Sequence, residues 1–479
     1  MTDVATGQWR EVFAPHHAVP LATLCLGVGI YALNGFLVTT ALPTAVLEIG
    51  GLHLIGWSLT VYLVAAITSG AVAALVKARL GARRALLLPA LLFLAGTLCA
   101  ASAGSMAQVL LGRLLQGLGE GVIAALCYAL IPEMFPARLV PKVFGVEAVV
   151  WAVAAFGGPL AAGMLTEALS WRAAFLVSVP LILTFMALVL LVVPRGGGAA
   201  PAEPGGPPLL RLSLCAGAIM LVAVAGVQGD PWWIGGGTAV ALLGLATLLR
   251  LDRASRVRLF PADAFNLRTT LGAALWVVLL MPVAQASTSV YLVLLVEHVW
   301  RFGPTAAGQV QALMALSWSG TAVLVAHADD PRRQRGFIRL GAALLAAGLA
   351  GVLAALSGPW LWLLLLSQVA IGAGFGLSWA FLSHAVMHAA RDGERDRASA
   401  MLPTVQSGGY ALGGAVAGLL ANASGLTAAL REPGAALPAG WLLGVATLLA
   451  GLATLASWRV SATAQIPAKA PPEATKSRS

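Results

Sequence analysis

Glu120 and Arg113 are the residues of this chain best placed to do chemistry, because both lie inside an apolar run, RLLQGLGEG at 113–121. At 100° per residue, Arg113, Gln116, Gly117 and Glu120 share one helical face, with the two charges about 10 Å apart along the axis. An ionisable group at the centre of a bilayer costs about 2.5–3.5 kcal/mol on insertion scales, so such a pair turns toward a cavity or a partner. A carboxyl there can take up and release a proton, and a neighbouring guanidinium can tune that exchange. Arg113 also has a plainer reading, a tie from its own helix to Asn34 and to backbone carbonyls of the first helix. Glu147 is a second proton-carrying candidate, in the inner third of its own apolar run, where it can equally reach back to the membrane interface.

Other residues suit a substrate cavity rather than a proton. Gln285 stands in the run that also holds Ser287, Thr288, Ser289 and Tyr291; Gln406 and Tyr410 are four apart and share a face. Ser and Thr in such runs usually bond their own backbone, so Gln285, Gln406 and Tyr410 are the cavity candidates, together with Asn34 and Gln116. Gly158 and Pro159 free backbone groups and permit close helix contact, which fits either a rocking joint or a static kink. His384 and His388 have metal-binding i, i+4 spacing, but no acid or Cys accompanies them, and the reading is an interfacial pair with no metal. The cysteines at 25, 99, 127 and 215 all fall inside apolar runs and read as small buried hydrophobes. There is no His-Glu-x-x-His, no Gly-x-Ser-x-Gly and no phosphate-cradling glycine loop, so neither an enzyme, a cofactor nor ATP as energy source is expected.

The elements that must position these groups follow from composition. Of 479 residues, 59% are hydrophobic and 10% charged, with a mean hydropathy of +0.88. A soluble surface needs far more charge. Apolar runs of the roughly 20 residues that cross a bilayer follow one another almost without pause. The chain therefore reads as an all-α integral membrane protein of fourteen helices, at 19–42, 54–76, 84–102, 107–131, 142–165, 172–194, 209–228, 232–250, 269–297, 305–327, 337–357, 359–388, 398–421 and 438–460. The pattern is 6 + 2 + 6: a leader at 1–18, a six-helix half at 19–194, a flexible Gly/Pro/Ala linker at 195–208, and an inserted pair at 209–250. A loop at 251–268, a second six-helix half at 269–460 and a disordered tail at 461–479 complete it. No cleavable signal peptide is evident. The loop KARLGARRALL at 77–87 has a weak echo in DPRRQRGFIRL at 330–340, after the second helix of the other half, which supports pseudo-twofold halves.

The net charge of +10 is explained by topology rather than by nucleic acid. Of the 29 Lys and Arg, all but Arg113, Arg172, Arg301 and Arg431 fall on one side of the fourteen-helix scheme. That side is expected to be the cytoplasm, holding both termini, in a bacterial inner (plasma) membrane. Most tryptophans read as interfacial anchors.

Four motifs in order resemble the major facilitator superfamily, in particular its fourteen-helix drug:proton antiporter branch. They are LNGFLVTTALP (33–43), RLLQGLGEG (113–121), GGPLAAG (157–163) and SWRAAFLVSVP (170–180); FGPTAAG (302–308) opens the tenth helix. The resemblance implies two halves that rock about a central site, with Arg79, Gly81, Arg83, Gly117, Gly158 and Pro159 serving the gate. The chain departs from the pattern twice. Asn34 stands where the branch has an acid, and Ala78 precedes Arg79 where the family commonly has Asp.

The resulting expectation is a secondary transporter, monomeric, exchanging protons for hydrophobic or cationic organic compounds by alternating access. Glu120 is its main coupling group, and the inserted pair is peripheral. The alternative is a carrier of lipid or lipid-like metabolites, with an intramembrane enzyme the third choice.

Overall fold

Lipid offers no hydrogen bonds, so a chain this apolar must satisfy its backbone within helices. A computed structural model describes residues 9–136, 138–194, 209–228, 230–255, 258–328, 330–391, 394–430 and 438–460, and they are helical almost throughout. The first half comprises α1 (Pro15–Ile49), α2 (Ile55–Ala71), α3 (Ala82–Ala101), α4 (Met106–Met134), α5 (Val140–Ala168) and α6 (Trp171–Val192). The inserted pair is α7 (Leu209–Gln228) and α8 (Pro231–Ala254). The second half comprises α9 (Thr270–Trp300), α10 (Pro304–Val325), α11 (Pro331–Ser357), α12 (Leu361–Ala389), α13 (Arg395–Ala423) and α14 (Gly440–Ser457). The leader expected over 1–18 is partly helical where described: Trp9–Val12 forms a short turn and α1 begins at Pro15 rather than at 19. The linker at 195–208 and the tail at 461–479 lie outside the described residues.

Twelve of these helices are long and apolar enough to cross a membrane. The two that fall short of that measure are α10 and α13, of 22 and 29 residues, and both pack across the middle of the molecule, α10 on α5 and α13 on α2. Polar residues, among them Gln309, Gln311, Gln406 and Asn422, interrupt the apolar runs of both.

The halves repeat one pairing scheme. In the first, α3 packs on α4, α2 on α4 and α1 on α5; in the second, α11 packs on α12, α10 on α12 and α9 on α13. Helix ends and loops at one face carry Lys77, Arg79, Arg83 and Arg84, then Arg250, Arg253, Arg258 and Arg268, then Arg332, Arg333, Arg335 and Arg339. We call this the basic face and the opposite one the far face. The motif at 170–180 acts at the far face: Trp171 Nε1 and Arg172 Nη1 donate to the two oxygens of Glu48 at 2.9 and 2.7 Å, pinning the start of α6 to the end of α1.

The inserted pair lies against one flank of the two halves, with α8 packed on α7. α7 lies along the seam where α2 of one half meets α13 of the other. Trp57 Nε1 on α2 donates to Ala223 O at 3.1 Å, and Asn422 Nδ2 on α13 donates to Gly226 O at 3.2 Å. The cause is small residues on the side of α7 that meets the seam: a Cβ at Gly226 would lie 2.5 Å from Leu419 Cα, and Ala223 lies under Trp57, while Ala218 and Ala225 let α7 sit close to α8. At the basic face the pair is fastened by an ion pair of Arg211 with the buried Asp252. Asp252 also accepts from the backbone N–H of Leu259 (2.7 Å) and Phe260 (3.0 Å), at the entrance to the second half.

Candidate functional site

The central polar cluster is assembled by close helix contact. Gly117 on α4 has no room for a side chain, since a Cβ there would lie 2.3 Å from the Tyr62 carbonyl oxygen. α2 therefore rides directly on α4 and sets the Tyr62 ring under the Arg113 guanidinium, 3.9 Å from the ring centroid. Arg113, 2% exposed, donates from Nη1 to Gln116 Oε1 at 2.8 Å and from Nε to Ser58 O at 3.5 Å. Gln116 in turn donates to Thr97 Oγ1 on α3 at 3.0 Å. Arg113 thus ties α4 to α2, not to Asn34, and the Gln116 amide is engaged inside the half rather than facing open space.

Glu120 is the middle residue of the 29-residue α4 and is 1% exposed. Its Oε2 accepts from Asn34 Nδ2 on α1 at 2.8 Å, while Oε1 has no hydrogen-bond partner among the described residues. The Tyr62 hydroxyl, within interaction range of this carboxyl, also lacks a hydrogen bond. Among the described residues no ion pair joins Arg113 to Glu120; the shared face holds them on one stripe, but each has its own partners. Buried polar atoms are nearly always paired. The free Oε1 can carry a proton or accept a donor that arrives with a change of state.

Glu147 is also 1% exposed, with neither oxygen hydrogen-bonded, beside Cys25 of α1 and Cys127 of α4. It does not reach back to the membrane interface.

In the second half, Gln285 is 3% exposed, accepts from Ser289 Oγ at 2.9 Å and donates to Met314 Sδ at 3.2 Å. Ser287 and Thr288 bond carbonyls of their own helix. Gln406 and Tyr410 are half-buried on α13, and Tyr410 packs into the apolar cluster that Tyr62 forms with α7. Gln368 on α12, 1% exposed with an unpartnered Nε2, was not singled out from the sequence, and a lone Gln in an apolar run was its signal. Mid-bundle, a Cβ added at Gly35 on α1 or at Gly408 on α13 would meet nothing within 4 Å, so space remains between the halves there. The His384 and His388 rings pack at 4.0 Å, tilted by 37°, near the basic end of α12.

The halves are joined at the far face. Glu167 of α5 accepts from the backbone N–H of Thr305 at 3.0 Å and from its hydroxyl at 2.7 Å, closing the N-terminus of α10. A Cβ at Gly163 would lie 2.4 Å from Thr305 Cα, and one at Gly158 would lie 2.8 Å from Phe36 Cβ. The Gly158/Pro159 segment is thus where α5 presses on α1 and on α10, whose Gly308 faces the Pro159 carbonyl. On the other seam, Thr60 Oγ1 donates to Ala411 O at 3.1 Å and Asn422 Nδ2 to His53 O at 2.9 Å. At the basic face, Gly81 (φ 78°) makes the turn before α3, and Arg79 and Arg83 have no described hydrogen bond or ion pair to the other half. Contact between the halves reaches mid-bundle, where Tyr31 neighbours Ser407, and the inter-half hydrogen bonds described all lie between there and the far face.

The sequence reading also missed an aromatic series in the first half, contributed by α1, α2, α4 and α5. Tyr62 stacks near Tyr31 (6.3 Å), Tyr31 meets Trp151 edge-on (5.8 Å), Trp151 Nε1 donates to Tyr128 Oη (3.2 Å), and Tyr128 stacks on Phe144 (6.1 Å). Its only sequence signals are that Tyr31 lies three residues before Asn34 and Trp151 four after Glu147. Trp151 is no interfacial anchor.

A family model described as Major Facilitator Superfamily matches residues 24–414. A probable multidrug-efflux transporter of Mycobacterium tuberculosis is 30% identical over 448 residues, 88% of this chain and 92% of that one. The multidrug transporter protein MdtP of Bacillus subtilis is 25% identical over 255 residues, covering 51% and 46% of the two chains. Among solved structures, the POT family transporter PepTSo superposes with a TM-score of 0.67 at 16% identity, over 94% of this chain and 97% of that one. A D-xylose–proton symporter superposes with a TM-score of 0.63 at 16% identity, over 94% and 98%. These two likenesses establish the fold.

Proposed function

Because the chain belongs to the major facilitator superfamily, and is a multi-pass membrane transporter rather than an enzyme, we propose that it exports hydrophobic or cationic organic compounds in exchange for protons. The observation that carries this reading is Glu120, a carboxyl at the middle of the membrane span with one oxygen held by Asn34 and the other unpartnered. The names of the efflux relatives from Mycobacterium tuberculosis and Bacillus subtilis support the substrate class. The inserted pair between two six-helix halves supports the fourteen-helix drug:proton antiporter branch.

The basic face is assigned to the cytoplasm of a bacterial inner membrane by its Lys and Arg, with both termini there. The structure then corresponds to an inward-facing state, closed at the far face through Glu167, Thr60 and Asn422. A proton reaching Glu120 from the far side eases the rearrangement toward this state, and its release inside resets the cycle. A membrane potential contributes about 2.3 kcal/mol per charge per 100 mV, and one proton at that potential sustains roughly a fifty-fold substrate gradient. The chain works as a monomer, each half supplying one wall.

The test is flux in proteoliposomes under an imposed pH gradient, against a panel of lipophilic cations, neutral amphiphiles and lipids. The expected result is gradient-driven accumulation of the first two classes. Movement of lipids alone would favour the lipid carrier, and no accumulation of any compound would sink the transport assignment.

A further inference from the structure

The aromatic series in the first half forms a continuous ladder with an exposed end and a buried end. Phe144 is 44% exposed and Trp151 37%, Tyr128 and Tyr31 are half-buried, and Tyr62 is 2% exposed beneath Arg113. Its rungs come from four helices, so no single helix's lipid-facing stripe accounts for it. Next to Tyr31, one turn along α1, lies the open space beside Gly35.

The surroundings of the ladder are asymmetric. On the α2/α13 side, α7 covers the seam, and no residue of α2 from Ile55 to Gly70 is exposed. On the α5/α10 side nothing equivalent is described. There α5 bares Phe144, Ala148, Val149, Trp151 and Val153 over its basic-face half, and α10 bares Leu316, Gly320, Val323 and Leu324 over the same half. The contacts described between α5 and α10, at Pro159, Gly163 and Glu167, all lie toward the far face. One seam is therefore covered by α7, whereas on the other the exposed rungs Phe144 and Trp151 share the basic-face half of α5 with other bared residues.

We propose that the ladder Phe144–Tyr128–Trp151–Tyr31 is the substrate-binding track, taking flat aromatic amphiphiles, charged or neutral, that enter from the bilayer between α5 and α10. Flat rings suit it because offset and edge-on packing on aromatic side chains is favourable, and a positive charge adds attraction to the ring faces. Tyr62 ends the track, since Arg113 already occupies its face and repels a cation that travels further. This inference rests on the transport reading and names where its substrate sits.

The experiment uses the full chain in lipid nanodiscs with rhodamine 6G as probe, read by fluorescence anisotropy. Trp151→Ala should weaken binding about ten-fold, Trp151→Phe should stay within about three-fold of wild type, and Trp360→Ala at the far face should change nothing. Ala148→Trp, which fills the seam, should slow association and dissociation alike by several-fold and leave affinity near wild type, since it raises the barrier without altering either end state. Rescue by Trp151→Phe separates a lost ring from a misfolded protein. Wild-type affinity in Trp151→Ala, absence of any binding by the wild type, or unaltered association in Ala148→Trp would each overturn the proposal. If the wild type still accumulates panel compounds under a pH gradient, the transport reading survives that failure; if it accumulates none, both fall.

Discussion

Asn34 Nδ2 donates to Glu120 Oε2 at 2.8 Å across α1 and α4, the one hydrogen bond to this carboxyl among the described residues. The amide stands where the resembling branch carries an acid, so α1 supplies a donor to the carboxyl instead of a second carboxyl. Glu120→Gln keeps the acceptor oxygen for Asn34 but cannot cycle a proton. Gradient-driven flux should be abolished in this variant while rhodamine 6G binding stays within about three-fold of wild type. Glu147→Gln is the internal comparison. Wild-type accumulation in Glu120→Gln would move the coupling role to Glu147 or leave transport uncoupled.

Asn34 should also matter for stability. In Asn34→Leu the Glu120 carboxyl loses its remaining partner, and an unsatisfied buried group costs about 1–3 kcal/mol, more if charged. The variant should unfold at lower temperature than wild type in a detergent thermal-shift assay, and Asn34→Leu/Glu120→Leu should recover much of the loss. Equal stability of the single variant and wild type would mean that another group takes Asn34's place.

Much of the fold was legible because lipid imposes a simple rule: each spanning helix must be an apolar run, and basic loops mark one face. The rule blurs where helices face protein, and α10 and α13, which carry Gln309, Gln311 and Gln406 across the interface, are the two least apolar members of the bundle. Glu120, Arg113 and Asn34 stood out because charge and amide are rare in apolar runs. Which of them touch did not follow from spacing. Arg113 and Glu120 share a stripe, yet the Gly117 contact brings Tyr62 under Arg113, and Asn34 takes Glu120. The ladder was invisible for a different reason. Tyr31, Tyr128 and Trp151 come from three helices, and in a sequence each resembles an ordinary membrane aromatic.

The far-face closure through Glu167 should set the balance between the two faces. Its carboxylate caps the N-terminus of α10 from the opposite half, and a side-chain cap is worth typically about 1 kcal/mol. Glu167→Ala should therefore raise the population open at the far face roughly five-fold. A single cysteine placed at Thr39, beside Gln311 in that interface, should react correspondingly faster with a membrane-impermeant maleimide applied from the far side. An unchanged labelling rate would mean that Gly163 packing and the α2/α13 seam hold the face closed without Glu167.

The inserted pair should move with the second half. It is fastened there at the far face through Gly226, Leu419 and Asn422, and at the basic face Arg211 and Asp252 hold α7, α8 and the loop of Leu259 and Phe260 together, a loop whose Asp263 pairs with Arg391 of the second half. To the first half it makes apolar contacts with Tyr62 and Leu63 and the single described hydrogen bond from Trp57 to Ala223. When the far face opens, α2 must leave α13, and α7 cannot follow both. The weaker attachment yields, so the Trp57–Ala223 bond should break in each cycle. A short bifunctional maleimide joining cysteines at Ala223 and Trp57 should stop flux, whereas one joining cysteines at Gly226 and Leu419 should leave most of it. The pair at 226 and 419 must first be shown to cross-link efficiently, since a Cβ at Gly226 lies 2.8 Å from that of Leu419 and the helices have to adjust slightly. The opposite pattern, with flux surviving the α2–α7 link and lost with the α7–α13 link, would mean that the pair travels with the first half and that the Arg211–Asp252 fastening is a hinge rather than a bolt.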